Sequence, residues 1–321
     1  MLAIKKYNSY IDWNVGTMFN HTDDFLTLMS NLKKLNLDPN IKYSFGSFGC
    51  RLNSGRYVTG GNPNIEFVSK VIDLYNSFGI SVRFTFSNHL ITEEDLGEKL
   101  PNETMEYMEK KNVEHPEFEN GVIIVSDMLR EYIRKNYPHL KITSSLYKTG
   151  IETKFVSDTV DYYNELLDRF DVVVVDTNKI KDKNTDFLIG IKDKDRVEFI
   201  ANNHCMRHCP NVRKHDIAVA QIQHAVCENN IEKQRELEKK VEKYLRYCHS
   251  FFLTDPDHST LVLTDSEINL CLDMGYKHFK LQGRAAPKKE FFEDLSEYIF
   301  TDTEIENNDP DHVNTARRRR Y

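Results

Sequence analysis

Strand-like and helix-like segments alternate along most of this chain, and that alternation limits its fold more than any other feature. Runs rich in β-branched and aromatic residues occur at 41–48 (IKYSFGSF), 81–87 (SVRFTFS), 121–126 (GVIIVS) and 141–146 (KITSSL). Four more follow at 171–176 (DVVVVD), 196–201 (RVEFIA), 261–264 (LVLT) and 277–281 (KHFKL). Helical stretches separate them, among them 66–78, 127–136, 158–169 and 265–274. The apolar centre of 171–176 marks a strand covered on both faces. Strands that alternate with helices build a parallel sheet through right-handed crossovers. Eight such steps at roughly thirty residues each predict a TIM-like α/β architecture, a (β/α)8 barrel in regular or irregular form. A doubly wound open sheet would advertise a glycine-rich phosphate turn. The Gly60-Gly61-Asn62-Pro63 turn reads instead as a loop or helix cap.

The chain of 321 residues reads as one barrel domain over 1–300, with a cysteine-rich metal segment at 203–250 and a disordered tail at 301–321. No run reaches the eighteen or so apolar residues of a membrane span, and residues 1–15 carry no signal-peptide core. The expectation is a cytoplasmic protein without a membrane partner. A net charge of -7 argues against broad electrostatic capture of nucleic acid. The tail ends in Arg317, Arg318, Arg319 and Arg320 before Tyr321, which leaves an anionic or protein partner open there.

Cys50 stands alone, whereas Cys205, Cys209, Cys227, Cys248 and Cys271 fall within 67 residues. Clustered cysteines in a cytosolic chain point to metal binding or catalysis before disulfides. The strongest motif is 203–210, Asn-His-Cys-Met-Arg-His-Cys-Pro, just past the sixth strand-like run. Barrel active sites are built there, by loops at the carboxyl ends of strands. Other polar residues in such positions are Arg51, Asn53, Arg56, Ser87, Asn88, His89, Ser126, Asp127, Ser144, Ser145, Asp176, Asn178, Asn202 and Arg284. Two thiolates four residues apart can reach one metal. Zinc is one reading, with His204, His208 or His215 completing a tetrahedron. An iron–sulfur cluster is the other, with Cys227 and Cys248 as further thiolates. Val212 stands where a radical-SAM motif needs its third cysteine.

Geometry restricts the four-thiolate set. Residues 231–246 form a charge-laced helix of sixteen residues, about 24 Å long, with Cys227 and Cys248 on either side. Either that helix is broken or only one of the two is a ligand, in which case Cys50 is a substitute. Cys271 faces apolar neighbours and reads as core.

The Cys-x-x-x-Cys-Pro stretch after Asn202-Asn203, followed by Arg213 and His215, resembles the peptidase U32 family. Residues 263–268 (LTDSEI) look like that family's strand-then-helix segment. Residues 279–284 (FKLQGR) are similar to its Phe-Lys-Ile-Glu-Gly-Arg motif, with Gln282 where Glu is common. The resemblance covers roughly 81–286 and is most specific at 196–215 and 261–284. It implies a barrel related to collagenase-like proteases and to iron–sulfur proteins of oxygen-independent hydroxylation. In those relatives four cysteines hold a [4Fe-4S] cluster, here matched to Cys205, Cys209, Cys227 and Cys248, with Cys50 as the alternative to Cys227. The chain departs from them in lacking a longer cysteine-rich insert and an RNA-binding domain, which points away from a nucleic-acid substrate. Prephenate is linked to some of these hydroxylations, so a small dicarboxylate is an expected partner. Arg284 and Lys280 suit a carboxylate contact, or an internal ion pair with Asp176 or Glu198. His215 suits a proton carrier or a donor behind the metal ligands, or a surface position. No Gly-x-Ser-x-Gly or His-Glu-x-x-His motif supports a serine or zinc peptidase. The expected function is an iron–sulfur hydroxylation or redox enzyme. The alternative is a zinc-structured or metal-free barrel that binds a partner.

Overall fold

A computed structural model describes residues 3–55, 63–254, 260–283 and 286–301, with backbone alone at 249 and 251–254. Eight parallel strands close a barrel: β1 (Asp12–Val15), β2 (Ile41–Gly46), β3 (Ser81–Phe86), β4 (Gly121–Ile124), β5 (Lys141–Ser144), β6 (Val172–Val174), β7 (Val197–Ile200) and the last strand of the chain, His278–Leu281. Helices α1 (Thr22–Lys34), α2 (Ile65–Ser77), α3 (Lys99–Glu114), α4 (Asp127–Asn136), α5 (Leu146–Thr153), α6 (Val160–Arg169), α7 (Asn178–Lys181) and α8 (Thr185–Gly190) occupy the crossovers through β7. The (β/α)8 architecture expected from the alternation is therefore present.

Its strand count is reached by a different route. Asp12–Val15, four residues in a polar and aromatic lead, is a barrel strand that the sequence pattern did not announce. It is held on both sides, with Val15 opposite Leu281 and Ser44. The run at 261–264 is not a barrel strand. Instead β8 (Asn202–Met206) continues from β7 past Ala201 and pairs antiparallel with β9 (Thr260–Val262). Between them stand α9 (Val212–Cys227) and α10 (Ile231–Thr254). After β9 come α11 (Asp265–Asp273), the barrel strand β10 (His278–Leu281) and α12 (Lys288–Ile299). Residues 202–262 are thus an excursion inside the seventh crossover. Its base is pinned by Leu263 N–H to Ala201 O (2.7 Å) and Ala201 N–H to Lys280 O (2.9 Å).

Period-two alternation places two cores. Trp13, Val82, Phe84, Val122, Ile142, Val173, Phe199 and Phe279 are buried in the layer shared with the helices. Inside the barrel, Tyr43, Phe45 and Ile123 form a separate apolar cluster. Around it stand polar groups that bond to one another in part, with Asn14 Oδ1, Arg83 Nε and Glu198 Oε1 left without a hydrogen bond. Arg83 donates to Thr143 Oγ1 (2.7 Å) and its guanidinium lies 4.1 Å from the Tyr43 ring centre. Glu198, fully buried, accepts from Asn14 (2.5 Å) and from the Tyr43 hydroxyl and pairs with Lys280 at 3.3 Å. At Gly121 a side chain would meet the Lys141 carbonyl at 1.9 Å, so a glycine is needed where β4 and β5 approach.

Candidate functional site

The local signals of the excursion explain its shape. Helix α9 ends in a Schellman turn. Asn229 takes the left-handed conformation (φ 55°), its N–H bonds Val226 O, and Asn230 N–H bonds Ala225 O at 2.8 Å. Asparagine tolerates that conformation better than most residues. The chain reverses within these residues, and α10 runs back along α9, with the Tyr244 ring 6.4 Å from that of His215.

This hairpin sorts the cysteines into two groups. Cys248 returns beside the start of α9, where its thiol is hydrogen-bonded with that of Cys209 and feels the charge of Cys205. Burial and these two neighbours push the Cys248 thiol up to about 11. Cys205 is exposed, while Cys209 and Cys248 are half-buried. Cys227 sits at the far end of α9, about 22 Å away at 1.5 Å per residue. There Gln223 Nε2 donates both to Cys227 Sγ (3.4 Å) and to the carbonyl of Cys50 (3.1 Å). Burial and then Glu98 raise both of those thiols. Helix α10 is unbroken through 231–254, so only one of Cys227 and Cys248 lies near Cys209. That one is Cys248, and Cys50 stays with Cys227. Cys271 is buried in the main core, as its apolar neighbours suggested.

Among the described residues no group of three or more His, Cys, Asp or Glu side chains is arranged to hold a metal ion. Two histidines of the motif are engaged by carboxylates, His204 with Asp294 (3.1 Å) and His208 with Asp182 (3.0 Å). His215 lies within α9 against Tyr244. Lys280 is inside the barrel on Glu198, with its ammonium also 4.1 Å from the Phe45 ring centre. Asp176 is not its partner. That carboxylate is buried at the end of β6, accepts from Asn178 N–H (3.1 Å) and side-chain amide, and is pushed up to about 6, chiefly by burial. Asn178 in turn accepts from His208 N–H (3.2 Å), which ties the thiol loop to the barrel rim. Arg284, Arg56, Gly60, Gly61 and the tail arginines lie outside the described residues.

Helix α9 crosses the carboxyl end of the barrel. Arg213 Nε donates to Ile151 O in α5 (3.1 Å), and Gly55, beyond β2, lies under Val219 and Gln223. At about 100° per residue, Arg213, Asp216, Ile217, Ala220, Gln223, His224 and Cys227 share the side of α9 that faces these loops. Asp216, Ala220 and Gln223 are buried there. Sequence reading passed over Asp216, Gln223 and His224. The available signal was polar residues at helical spacing among alanines, which is legible only once α9 is known to cover the mouth. Below it the rim is polar and self-bonded: Ser54 to Ser87 (2.9 Å), Asn53 to Thr85 O (2.7 Å) and Asn88 to Arg51 O (2.7 Å).

No protein-family model matches this sequence, and no curated protein matches it. Among solved structures, that of the U32 peptidase Mk0906 is similar, with 13% identity over 86% of this chain and 94% of that chain and a TM-score of 0.49. No helix among the described residues is long and apolar enough to cross a membrane.

Proposed function

We propose that this chain is a U32-like iron–sulfur barrel protein, with Cys205, Cys209 and Cys248 holding the cluster beside the barrel mouth. In this reading it acts as an oxygen-independent hydroxylation or related redox enzyme on a small or carrier-bound substrate. One observation carries the reading. A two-helix excursion returns Cys248 to Cys209 across 39 residues of sequence, with Cys205 near enough to act on its thiol. Thiolates are the ligands a [4Fe-4S] cluster takes, and these three would have to draw closer together to share one. Cys227, the fourth thiol matched by the resemblance, stands with Cys50 at the other end of α9. The remaining corner would take a ligand other than those two.

When bound, such a group supplies one-electron redox chemistry. The chain's own residues do the rest. His208 N–H, Asn178 and Asp176 fix the thiol loop to the end of β6. Asp216, Ala220 and Gln223 of α9 are buried against the loops of the barrel mouth. A small dicarboxylate of the prephenate kind is the proposed substrate class, with Arg284 as its carboxylate contact. Lys280 would support the site from within through Glu198, and His215 would act from behind the thiols. Six free cysteines suit a reducing compartment such as the cytoplasm. The 317–320 arginines remain a proposed contact for a protein partner.

Three thiolates with a histidine also satisfy zinc, so the test is elemental. The full chain is purified without oxygen, and iron, sulfide and zinc are measured beside the visible spectrum. About four irons per chain are expected. Cys205→Ala and Cys248→Ala should lose them, while Cys227→Ala keeps them. Iron-free protein with about one zinc per chain, or iron lost only in Cys227→Ala, overturns the assignment.

A further inference from the structure

We propose that Asn178 is the positioning residue of the thiol loop, with the ionised Asp176 carboxylate setting the direction of its amide, so that acid releases the loop that carries Cys205 and Cys209. What the loop holds follows the reading above; how it is held does not depend on a metal. Both oxygens of Asp176 accept from Asn178 Nδ2, at 3.0 and 3.1 Å, and the first also accepts Asn178 N–H at 3.1 Å. With Nδ2 spent on the carboxylate, Asn178 Oδ1 faces the other way and accepts His208 N–H at 3.2 Å. Asp176 and Asn178 are both buried. His208 stands in the left-handed region (φ 48°), which is unfavourable for a residue with a side chain, so bonds are needed to hold it there. Asn178 opens α7 and Asp182 follows it, and Asp182 pairs with His208 Nε2 at 3.0 Å and with Arg207 at 2.5 Å. The short helix thus grips the loop between Cys205 and Cys209 at two points.

A side-chain amide has one accepting end and one donating end, whereas a carboxyl group gains a donor when it takes up a proton. Ionised Asp176 can only accept, so it fixes Nδ2 toward itself. A proton on Asp176 needs an acceptor, and among the described residues the hydrogen bonds made to this carboxylate come from Asn178. The Asn178 amide supplies that acceptor by turning over, with Oδ1 toward Asp176. Nδ2 then faces His208 N–H, donor against donor, and the loop loses that anchor. The charged and titratable groups that act on the carboxylate are Asp158, Lys179 of α7 and Tyr163 of α6. Lys179 is paired with Asp158 at 2.9 Å, and the Tyr163 hydroxyl donates to Asp158 (3.2 Å) while it accepts Asp176 N–H (3.1 Å). Burial pushes the Asp176 carboxyl up to about 6, with Asp158 adding to the rise and Lys179 opposing it. Acid relieves a buried charge as it loosens the loop, so the loop should open without weakening the barrel.

The test is amide hydrogen exchange of the full chain, read by mass spectrometry from about pH 5 to 7.5. Exchange of segment 206–209 is divided at each pH by that of an unstructured peptide of the same sequence, which removes the intrinsic pH dependence. Protection of this segment should fall about fivefold as pH drops through about 6, as expected for the loss of one hydrogen bond. Segment 223–227, at the far end of α9, should show no such step. Asp176→Asn, neutral at every pH, should abolish the step, and Asn178→Ala should give low protection throughout. Asp182→Asn removes the other anchor and should lower protection at every pH while keeping the step. If Asp176→Asn proves poorly folded by circular dichroism, Asn178→Ala and Asp182→Asn supply the same contrast. A flat profile in the parent, an equal step in Asp176→Asn or the same step at 223–227 overturns the proposal. Iron and zinc are measured on the same sample. A step in metal-free protein keeps this positioning role and counts against the cluster, and cluster-loaded protein with a flat profile does the reverse.

Discussion

Replacing Lys280 by methionine removes the positive partner of a carboxylate that has no access to water. Glu198 is fully buried, and the Lys280 side chain is 7% exposed. At their 3.3 Å separation, an effective dielectric of about 20 gives roughly 5 kcal/mol of attraction. Breaking one side of a buried pair ordinarily costs about 3–5 kcal/mol, because the other charge is stranded. Two donors, Asn14 and Tyr43, remain on Glu198 after the change, so the lower half of that range is expected, about 3 kcal/mol. Glu198→Gln should cost a similar amount by stranding Lys280 against the rings of Phe45 and Tyr43. The double variant should recover to within about 1–2 kcal/mol of the parent, since exchanging a whole buried pair is often close to neutral. Urea unfolding of the four proteins, read as free energies at constant slope, closes the cycle. Single variants that lose less than about 1 kcal/mol, with no coupling between them, would refute the claim that the pair is ionised and mutually supporting.

Two further outcomes follow from the rim and from the excursion's exit. Asp176, raised by burial to about 6 from 3.8, binds its proton more tightly in the folded state. Its contribution to stability is therefore full below about pH 4 and is lost as pH rises through 6, a difference of about 3 kcal/mol. Asp176→Asn should flatten the stability profile over that window, measured by denaturant unfolding from about pH 4 to 7; an unchanged slope would contradict a buried, protonatable carboxylate. Helix α11 begins with a capping box, in which Thr264 accepts from Glu267 N–H and Glu267 bonds back to Thr264 N–H at 2.7 Å. Thr264→Ala should cost about 1 kcal/mol in the same assay, and a cost indistinguishable from zero would mean that packing alone starts the helix.

The alternation of 41–48, 81–87, 121–126 and 171–176 with helical segments was legible because each strand packs against the next one along the chain. Asp12–Val15 was not legible. Four residues carry little period, and their place depends on both closing partners, β2 and β10. Leu261 and Val262 read as a barrel strand because a short apolar run has the same local appearance in a two-stranded ribbon. The boundaries of α4 and the helix after Thr264 were readable from periodicity. For the candidate site, the grouping of Cys205 with Cys209 is local and visible. Their association with Cys248 depends on the sense in which α10 returns, which the Asn229 turn sets.

Composition and pattern were sufficient for the class of fold, because a (β/α)8 barrel is assembled from repeated neighbours and each unit carries its own signal. The same pattern showed that the helix after Cys227 is too long for both flanking cysteines to share a centre. Only the tertiary structure shows which of the two stands beside Cys209. Burial inside the barrel likewise settled Lys280 on Glu198, and the crossing of α9 over the rim brought Arg213 to Ile151 and Gln223 to Cys50. These are contacts between residues far apart in the chain. Their energies come from desolvation and distance, and no local periodicity records either one.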